Sequence, residues 1–96
     1  MLILNEHEVE QLLDMPGCMT AMQETLVALA RGDFVLPLRP IVRAPERNHL
    51  LGLMPTYRGG DRPLYALKTV AVFPDNAARG LDPHQGTVTL FDGETG

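Results

Sequence analysis

Ten consecutive residues, Leu64-Tyr65-Ala66-Leu67-Lys68-Thr69-Val70-Ala71-Val72-Phe73, constrain the fold of this chain more than any other stretch. In an extended strand successive side chains point to opposite faces, so Tyr65, Leu67, Thr69, Ala71 and Phe73 share one face and Leu64, Ala66, Lys68, Val70 and Val72 share the other. Both sets are apolar apart from Lys68, which predicts a central, buried strand. Lys68 is then an anomaly, because an amine flanked by Ala66 and Val70 is costly to bury without a partner or a cleft. It is either a working residue or a structural oddity, and the pattern alone leaves both open.

With 96 residues the chain has material for one small domain. Its hydrophobic fraction of 45% supports a folded core built from Leu, Val, Met and Ala, since aromatics contribute only 5% and Trp is absent. The net charge of -4 gives no electrostatic reason to expect nucleic acid or an anionic membrane as partner. The charges are unevenly placed. Residues 1–30 hold Glu6, Glu8, Glu10, Asp14 and Glu24 with no Lys or Arg, whereas six of the eight basic residues fall between Arg31 and Arg62, pointing to a local anion site. The single Cys18 rules out an internal disulfide and fits a reducing, cytoplasmic setting. The opening Met-Leu-Ile-Leu runs straight into Asn5-Glu6-His7-Glu8, so neither a signal peptide nor a membrane span is expected.

Leu2 to Leu4 reads as a short strand. Asn5 then offers an N-cap with Glu8 three residues on as its capping-box partner, predicting a helix from about Glu6 to Leu13 with Val9, Leu12 and Leu13 buried. Asp14 offers a second cap with Pro16 in the first turn, and Met19, Met22, Leu26 and Leu29 recur at helical spacing up to Gly32, a stripe best explained by core packing. Pro37 and Pro40 exclude helix and confine the next part to an edge strand or extended loop, with Arg39, Ile41 and Arg43 on one face if extended. His49 to Met54 is an internal strand, Tyr57 to Arg62 a turn on Gly59-Gly60, Pro74 to His84 a loop, and Thr87 to Leu90 a final strand. Phe91-Asp92-Gly93-Glu94-Thr95-Gly96 carries the turn chemistry that leads into a return strand, so the chain reads as the first part of a longer protein or a truncated reading frame.

Arg39, Arg43 and Arg47 supply the side chain best suited to a bidentate grip on a carboxylate or phosphate, though a solvated rim is the alternative for each. Lys68 in a cleft would hold a substrate carboxylate or move a proton. His7, His49, His84 and Cys18 show no metal-ligand spacing; His84, following Asp82-Pro83, either lines a cleft or serves the turn. The glycines form neither standard nucleotide fingerprint.

Leu53-Met54-Pro55, Ala66-Leu67-Lys68-Thr69-Val70 with Val72-Phe73-Pro74, Asn76-Ala77-Ala78-Arg79-Gly80-Leu81, His84-Gln85-Gly86 and Leu90-Phe91-Asp92, in that order and spacing, resemble the ornithine cyclodeaminase/mu-crystallin family over essentially the whole chain. The resemblance implies an N-terminal substrate-binding and dimerisation region, residues 1–96, of an NAD(P)-dependent protein whose Rossmann domain lies beyond it. It implies a small amino-acid or imino-acid substrate, a homodimer, and NAD(P) as the cofactor of the full-length family with no tight binding to this fragment. Arg39 in Pro37-Leu38-Arg39-Pro40 looks like the family arginine that holds the substrate carboxylate, and Lys68 like the lysine beside the reacting carbon. Ornithine-specific members can have a Glu before Leu-Met-Pro where this chain has Gly52, which argues against ornithine.

The fold expected is therefore α+β, two N-terminal helices packed on a mainly antiparallel sheet and incomplete at the C-terminus. The activity expected is that of an ornithine cyclodeaminase-like lyase or a related amino-acid dehydrogenase or imine reductase, with the fragment inactive alone. A non-catalytic ligand-binding or dimerisation module of the mu-crystallin type is the alternative.

Overall fold

Two helices open the chain, and both begin where the sequence supplies a cap. In the computed structural model, which describes residues 1–96, α1 spans Glu6–Leu12 and α2 spans Met15–Ala30. The Asn5 side chain accepts from the Glu8 backbone N–H at 3.0 Å while the Glu8 carboxylate accepts from the Asn5 backbone N–H at 2.8 Å, so two of the donors a helix start leaves unpaired are satisfied together. Asp14 caps α2 through a 2.7 Å bond from the Gly17 N–H. At the far end Gly32 adopts φ +83, and the bonds Gly32 N–H to Leu29 O and Asp33 N–H to Ala28 O close the left-handed termination that glycine permits.

These two helices belong to a unit of residues 1–33, distinct from the unit of residues 34–96. Within the helical unit the anticipated packing is not made. Val9, Leu12 and Leu13 are exposed, as are Met19, Met22, Leu26 and Leu29, and Ala28 is the sole buried apolar side chain of the protein. A stripe at helical spacing records which face is apolar, but it becomes core only when another layer covers it. The Leu2–Leu4 strand is also not formed: the residues before α1 pair with nothing, and Leu2 and Ile3 are open to solvent.

The second unit is an all-antiparallel sheet of five strands: β1 Phe34–Val35, β2 Ile41–Arg43, β3 Leu50–Arg58, β4 Leu64–Val72 and β5 His84–Asp92. β3, β4 and β5 lie side by side as a meander, and β1 and β2 share the outer edge of β3. The expected elements are thus present, helices first and antiparallel sheet after, and Leu64–Val72 is central, between β3 and β5.

Three boundaries differ from the sequence reading. β3 continues through Pro55 to Arg58, beyond its expected end at Met54. Leu53 donates its N–H to Pro40 O at 3.0 Å, so by the period of two the nitrogen of Pro55 faces the same outer edge. That edge has no strand opposite Pro55, because β2 pairs only with Leu50–Gly52 and β1 only with Tyr57 and Arg58. The missing N–H of proline therefore falls where no ladder bond is needed. Secondly, the Pro74–His84 segment contains a 3-10 helix, η1, over Pro74–Arg79, stopped by Gly80 at φ +70. Thirdly, β5 is longer than foreseen and starts at His84, whose N–H is held by the Asp82 carboxylate at 2.7 Å.

Directly opposed residues of an antiparallel ladder point to the same face, so the registers assign every strand residue to one of two faces. One face carries Arg43, Arg58, Lys68, His84 and Asp92 among apolar neighbours. The other carries Val35, Val42, Leu51, Leu53, Pro55, Tyr57, Tyr65, Leu67, Thr69, Ala71, Gln85, Thr87, Thr89 and Phe91, with no charged residue at all. They are called the Lys68 face and the Tyr65 face below.

Candidate functional site

Lys68 sits in the middle of the central strand, with Met54 opposite it on β3 and Val88 opposite it on β5. Its flanking positions on the same face are Ala66 and Val70, and the diagonal ones on the next row are Gly52 and Gly86. The amine thus rises from a floor of short or flexible apolar residues, with no carboxylate in its own row or the rows beside it. The burial expected for it is not found: Lys68 is exposed. An exposed cation meets no desolvation cost, so the anomaly read from the pattern disappears, and what remains is a positive charge with no charged residue in its own row or the rows beside it.

Gly86 is present for a steric reason. A Cβ there would lie 2.5 Å from the carbonyl oxygen of Thr69 on β4, so the two strands approach too closely for any side chain. Gly52 is different. It is buried, but a Cβ at that position would meet Val70 Cγ1 at 3.4 Å, an ordinary contact, and the sheet itself does not demand glycine there.

Arg39 is exposed and lies in the connection between β1 and β2 rather than in a strand. The bond from Leu53 N–H to Pro40 O nevertheless carries the β2–β3 pairing one residue past Ile41. Extended by one more residue, that register brings Arg39 alongside Met54, in the row that contains Lys68. Two strand spacings separate the backbones, roughly 10 Å. Arg43 lies on the same face as Lys68, at the far end, in the row Arg43, Leu50, Val72 and His84. Arg47 lies outside the strands, its N–H bonded to Ala44 O at 3.4 Å. The face therefore collects three of the residues singled out by sequence, Lys68, Arg43 and His84, with Arg39 entering at its edge. Arg58 joins them in the row Phe34, Arg58, Leu64 and Asp92; sequence reading placed it in a turn, and only the continuation of β3 through Pro55 reveals it.

The other candidates do not assemble. His7 is on the exposed surface of α1, 2.9 Å from the Gln11 amide. The His49 ring lies tilted against Phe73 with ring centres 4.3 Å apart, and Cys18 is a free thiol in α2. No cluster of His, Cys, Asp or Glu is arranged to hold a metal ion. No helix is long and apolar enough to cross a membrane. The sheet is purely antiparallel and contains no βαβ unit. Two concavities of the sheet unit are lined by neither Lys68 nor Arg39. One, between the β3–β4 connection and the end of β5, is lined by Asp61, Arg62 and Asp92. The other is an apolar groove of about 340 Å³ on the Tyr65 face.

Asp92 organises the end of the chain. Its Oδ1 accepts from the N–H groups of Glu94 at 3.0 Å and Thr95 at 2.9 Å and from the Thr95 hydroxyl at 3.0 Å, and these bonds hold its carboxyl below the ordinary carboxylate range. Gly96, at φ +91, donates to Asp92 O, which completes the three-residue turn typical of a β-hairpin loop.

With this geometry in hand, the chain can be compared with known proteins. The sequence profile of the ornithine cyclodeaminase/mu-crystallin family matches residues 1–96, the full length of the chain. The chain belongs to the ornithine cyclodeaminase/mu-crystallin family. Among its relatives, N-((2S)-2-amino-2-carboxyethyl)-L-glutamate dehydrogenase of Staphylococcus aureus is 33% identical over 102 residues, covering 99% of this chain and 30% of the relative. Delta(1)-pyrroline-2-carboxylate reductase 2 of Burkholderia ambifaria is 36% identical over 89 residues, covering 93% of this chain and 27% of the relative. Among solved structures, the Delta(1)-pyrroline-2-carboxylate reductase of Thermococcus litoralis, in complex with NADH and L-proline, superposes with a TM-score of 0.91 at 29% identity, covering 100% of this chain and 29% of that one. An archaeal alanine dehydrogenase dimer with bound NAD gives 0.85 at 30% identity, covering 99% of this chain and 28% of that one. The family member described here thus spans about 30% of the length of the curated relatives it matches.

Proposed function

We propose that residues 1–96 are the N-terminal substrate-binding and dimerisation region of an NAD(P)-dependent oxidoreductase acting on a small amino or imino acid. The observation that supports this reading is the bond from Leu53 N–H to Pro40 O beside Lys68's partner Met54: continued by one residue, the β2–β3 register would set the Arg39 guanidinium at the edge of the sheet in the row of the central Lys68 amine. Arg39 would grip the substrate carboxylate through paired N–H bonds, and Lys68 would address the nitrogen or the carbon beside it and move a proton there. Met54, Val88, Ala66 and Gly52 supply the apolar floor on which a short side chain or a ring would lie. The relatives support the substrate class, one being solved with NADH and L-proline and others bearing the names of a pyrroline-2-carboxylate reductase and an alanine dehydrogenase.

NAD(P) would supply the redox chemistry when bound, held by residues other than these, since this sheet has no dinucleotide fingerprint. A cationic substrate side chain, as in ornithine, would find no carboxylate in the row of Lys68 or the rows beside it, and Gly52 stands where the family resemblance gives ornithine-specific members a Glu. Proline-like, alanine-like or cyclic imino acids fit the apolar floor better, and this favours the dehydrogenase or reductase chemistry over the lyase.

The test is a titration of the isotopically labelled 96-residue protein with L-proline, L-alanine and L-ornithine, followed by amide chemical shifts. Proline or alanine is expected to move the amides of Met54, Lys68 and Val88 in the wild type and not in Arg39→Ala. A response confined to residues outside this row, or one unchanged in Arg39→Ala, would overturn the site. Turnover of a cyclic imine with NADH by the 96-residue protein alone would overturn the placement of the cofactor. The uncharged Tyr65 face favours one second reading, a non-catalytic dimerisation module of the mu-crystallin type. It predicts self-association without any ligand response on the Lys68 face.

A further inference from the structure

We propose that the Lys68 face holds a second anion-binding position, made by Arg43 beside Gly52, and that the substrate is an amino or imino acid whose side chain ends in a second carboxylate. The proposal rests on the substrate reading above and adds to it the chemistry of the substrate's far end. The first argument is placement. Arg43 pairs with Leu50 and Lys68 with Met54, so Gly52, which lies between those two positions on β3, is the diagonal neighbour of both. Diagonal neighbours in a sheet lie about 7–8 Å apart, within reach of long side chains. A molecule lying above Gly52 therefore has a guanidinium on one side and an ammonium on the other.

The second argument is shape. The row between the cations is Ile41, Gly52, Val70 and Gly86, and two of its four positions have no side chain. It forms a trough across the strands, with the row of Lys68 along one side and the row of Arg43 and His84 along the other. The Thr69 carbonyl demands glycine at Gly86, but nothing in the sheet demands it at Gly52, where a Cβ would meet only Val70 within 4 Å. Glycine inside a strand weakens it, so a glycine that packing does not require points to a close approach by another molecule.

The third argument is charge. Neither the row of Arg43 nor the trough beside it contains a carboxylate. Asp92 is the one acid among the strand residues of this face, and it lies beyond Lys68 in the row of Arg58, bonded to Glu94 and Thr95. A substrate with a single carboxylate engages Arg39 and leaves Arg43 without an anion. Arg39 and Arg43 are four residues of extended chain apart, roughly 13 Å, which two inward-leaning arginine side chains and a glutamate-sized dicarboxylate together span. The fork of Arg43 suits a carboxylate, His84 adds a ring N–H at the far end of its row, and the apolar floor carries the chain between the two charged ends.

The experiment titrates the isotopically labelled 96-residue protein with L-glutamate, L-glutamine and L-alanine, following amide shifts, with circular dichroism as the check on folding. Glutamate and glutamine share a shape and differ in the charge of the side-chain end, so the ratio of their affinities reads this position alone. The wild type is expected to bind glutamate about 5-fold tighter than glutamine, as an accessible ion pair allows. Arg43→Gln is expected to bind the two alike while its affinity for alanine is unchanged. Arg47→Gln, which removes an exposed cation outside the strands, is expected to keep the wild-type ratio. Should Arg43→Gln fail to fold, Arg43→Thr removes the same charge with a residue suited to an edge strand. Equal affinities in the wild type, a ratio that survives loss of the Arg43 charge, or one that collapses in Arg47→Gln overturns the second anion position. Alanine shifts at Met54, Lys68 and Val88 would then leave the substrate reading standing. No response to any of the three amino acids overturns that reading and the second position with it.

Discussion

The two faces of the sheet are built from the same strands, and alternate residues of one sequence give them opposite characters. On the Lys68 face a few cations stand among Ala66, Val70, Met54 and Val88, with glycines at Gly52 and Gly86 keeping the floor low. On the Tyr65 face every position is apolar or neutral, and the aromatic pair Tyr57–Tyr65 borders a groove. No side chain of the strands is fully buried. A surface that binds a small charged molecule needs isolated, well-spaced charges. A surface that meets a copy of itself needs none. The period of two lets one strand present two surfaces of different character, and β4 carries Lys68 on one side and Tyr65 and Leu67 on the other.

Substitutions can break or sharpen that contrast, and the largest effect is expected where the faces are held together. Gly86→Val would force a side chain against the Thr69 carbonyl, separating β4 from β5, and should cost about 3 kcal/mol or more in a urea melt. A cost under ~1 kcal/mol would show that the close approach is not needed. Gly52→Ala meets only Val70 Cγ1 at 3.4 Å, so its effect should stay within about 1 kcal/mol while narrowing the floor beside Lys68. Amide shifts on adding L-proline should shrink in Gly52→Ala even where the melt barely changes.

Lys68→Met should be smaller still for stability, within about 0.5 kcal/mol, because the exposed amine pairs with no acid and its stem already lies among apolar residues. The same variant should abolish the response to L-proline. Loss of stability together with binding would recast Lys68 as structural. The smallest expected effect concerns Asp92, whose carboxyl is held below its ordinary range by the Glu94 and Thr95 amides and the Thr95 hydroxyl. A lowered folded-state value means the turn is supported above the unfolded value and loses that support as pH falls below about 4 through the folded one. Amide exchange at Glu94 and Thr95 should therefore quicken in acid in the wild type and be already fast at neutral pH in Asp92→Asn. Protection retained by Asp92→Asn would show that the Gly96 to Asp92 backbone bond suffices.

Local features were legible in the residues because their causes are local. Asn5 with Glu8, and Asp14 with Pro16, announced both helix starts, and the bonds that cap them run between residues three apart. The alternation from Leu64 to Val72 announced a central strand. Pro55 misled the reading of β3, since proline stops a strand unless its nitrogen faces a gap. The gap between β1 and β2 is made by residues about twenty positions earlier in the chain. Arg58 was hidden for the same reason. The burial of Lys68 and of the Met19, Met22 and Leu26 stripe failed differently: periodicity says which side chains lie together, not whether anything lies over them.

The sequence by itself therefore determined the capped helices, the central strand, the chemistry available in Arg39 and Lys68, and the family those motifs belong to. Such features depend on neighbours a few residues apart, or on side-chain identity alone. The tertiary structure alone decided which distant residues share a row and a face. Pro40, next to Arg39, is tied to Leu53 of β3 by a backbone bond, Gly86 is fixed by a carbonyl on the next strand, and all strand charges fall on one side. Those facts follow from register, which is set by pairing between strands and is invisible until the strands are paired.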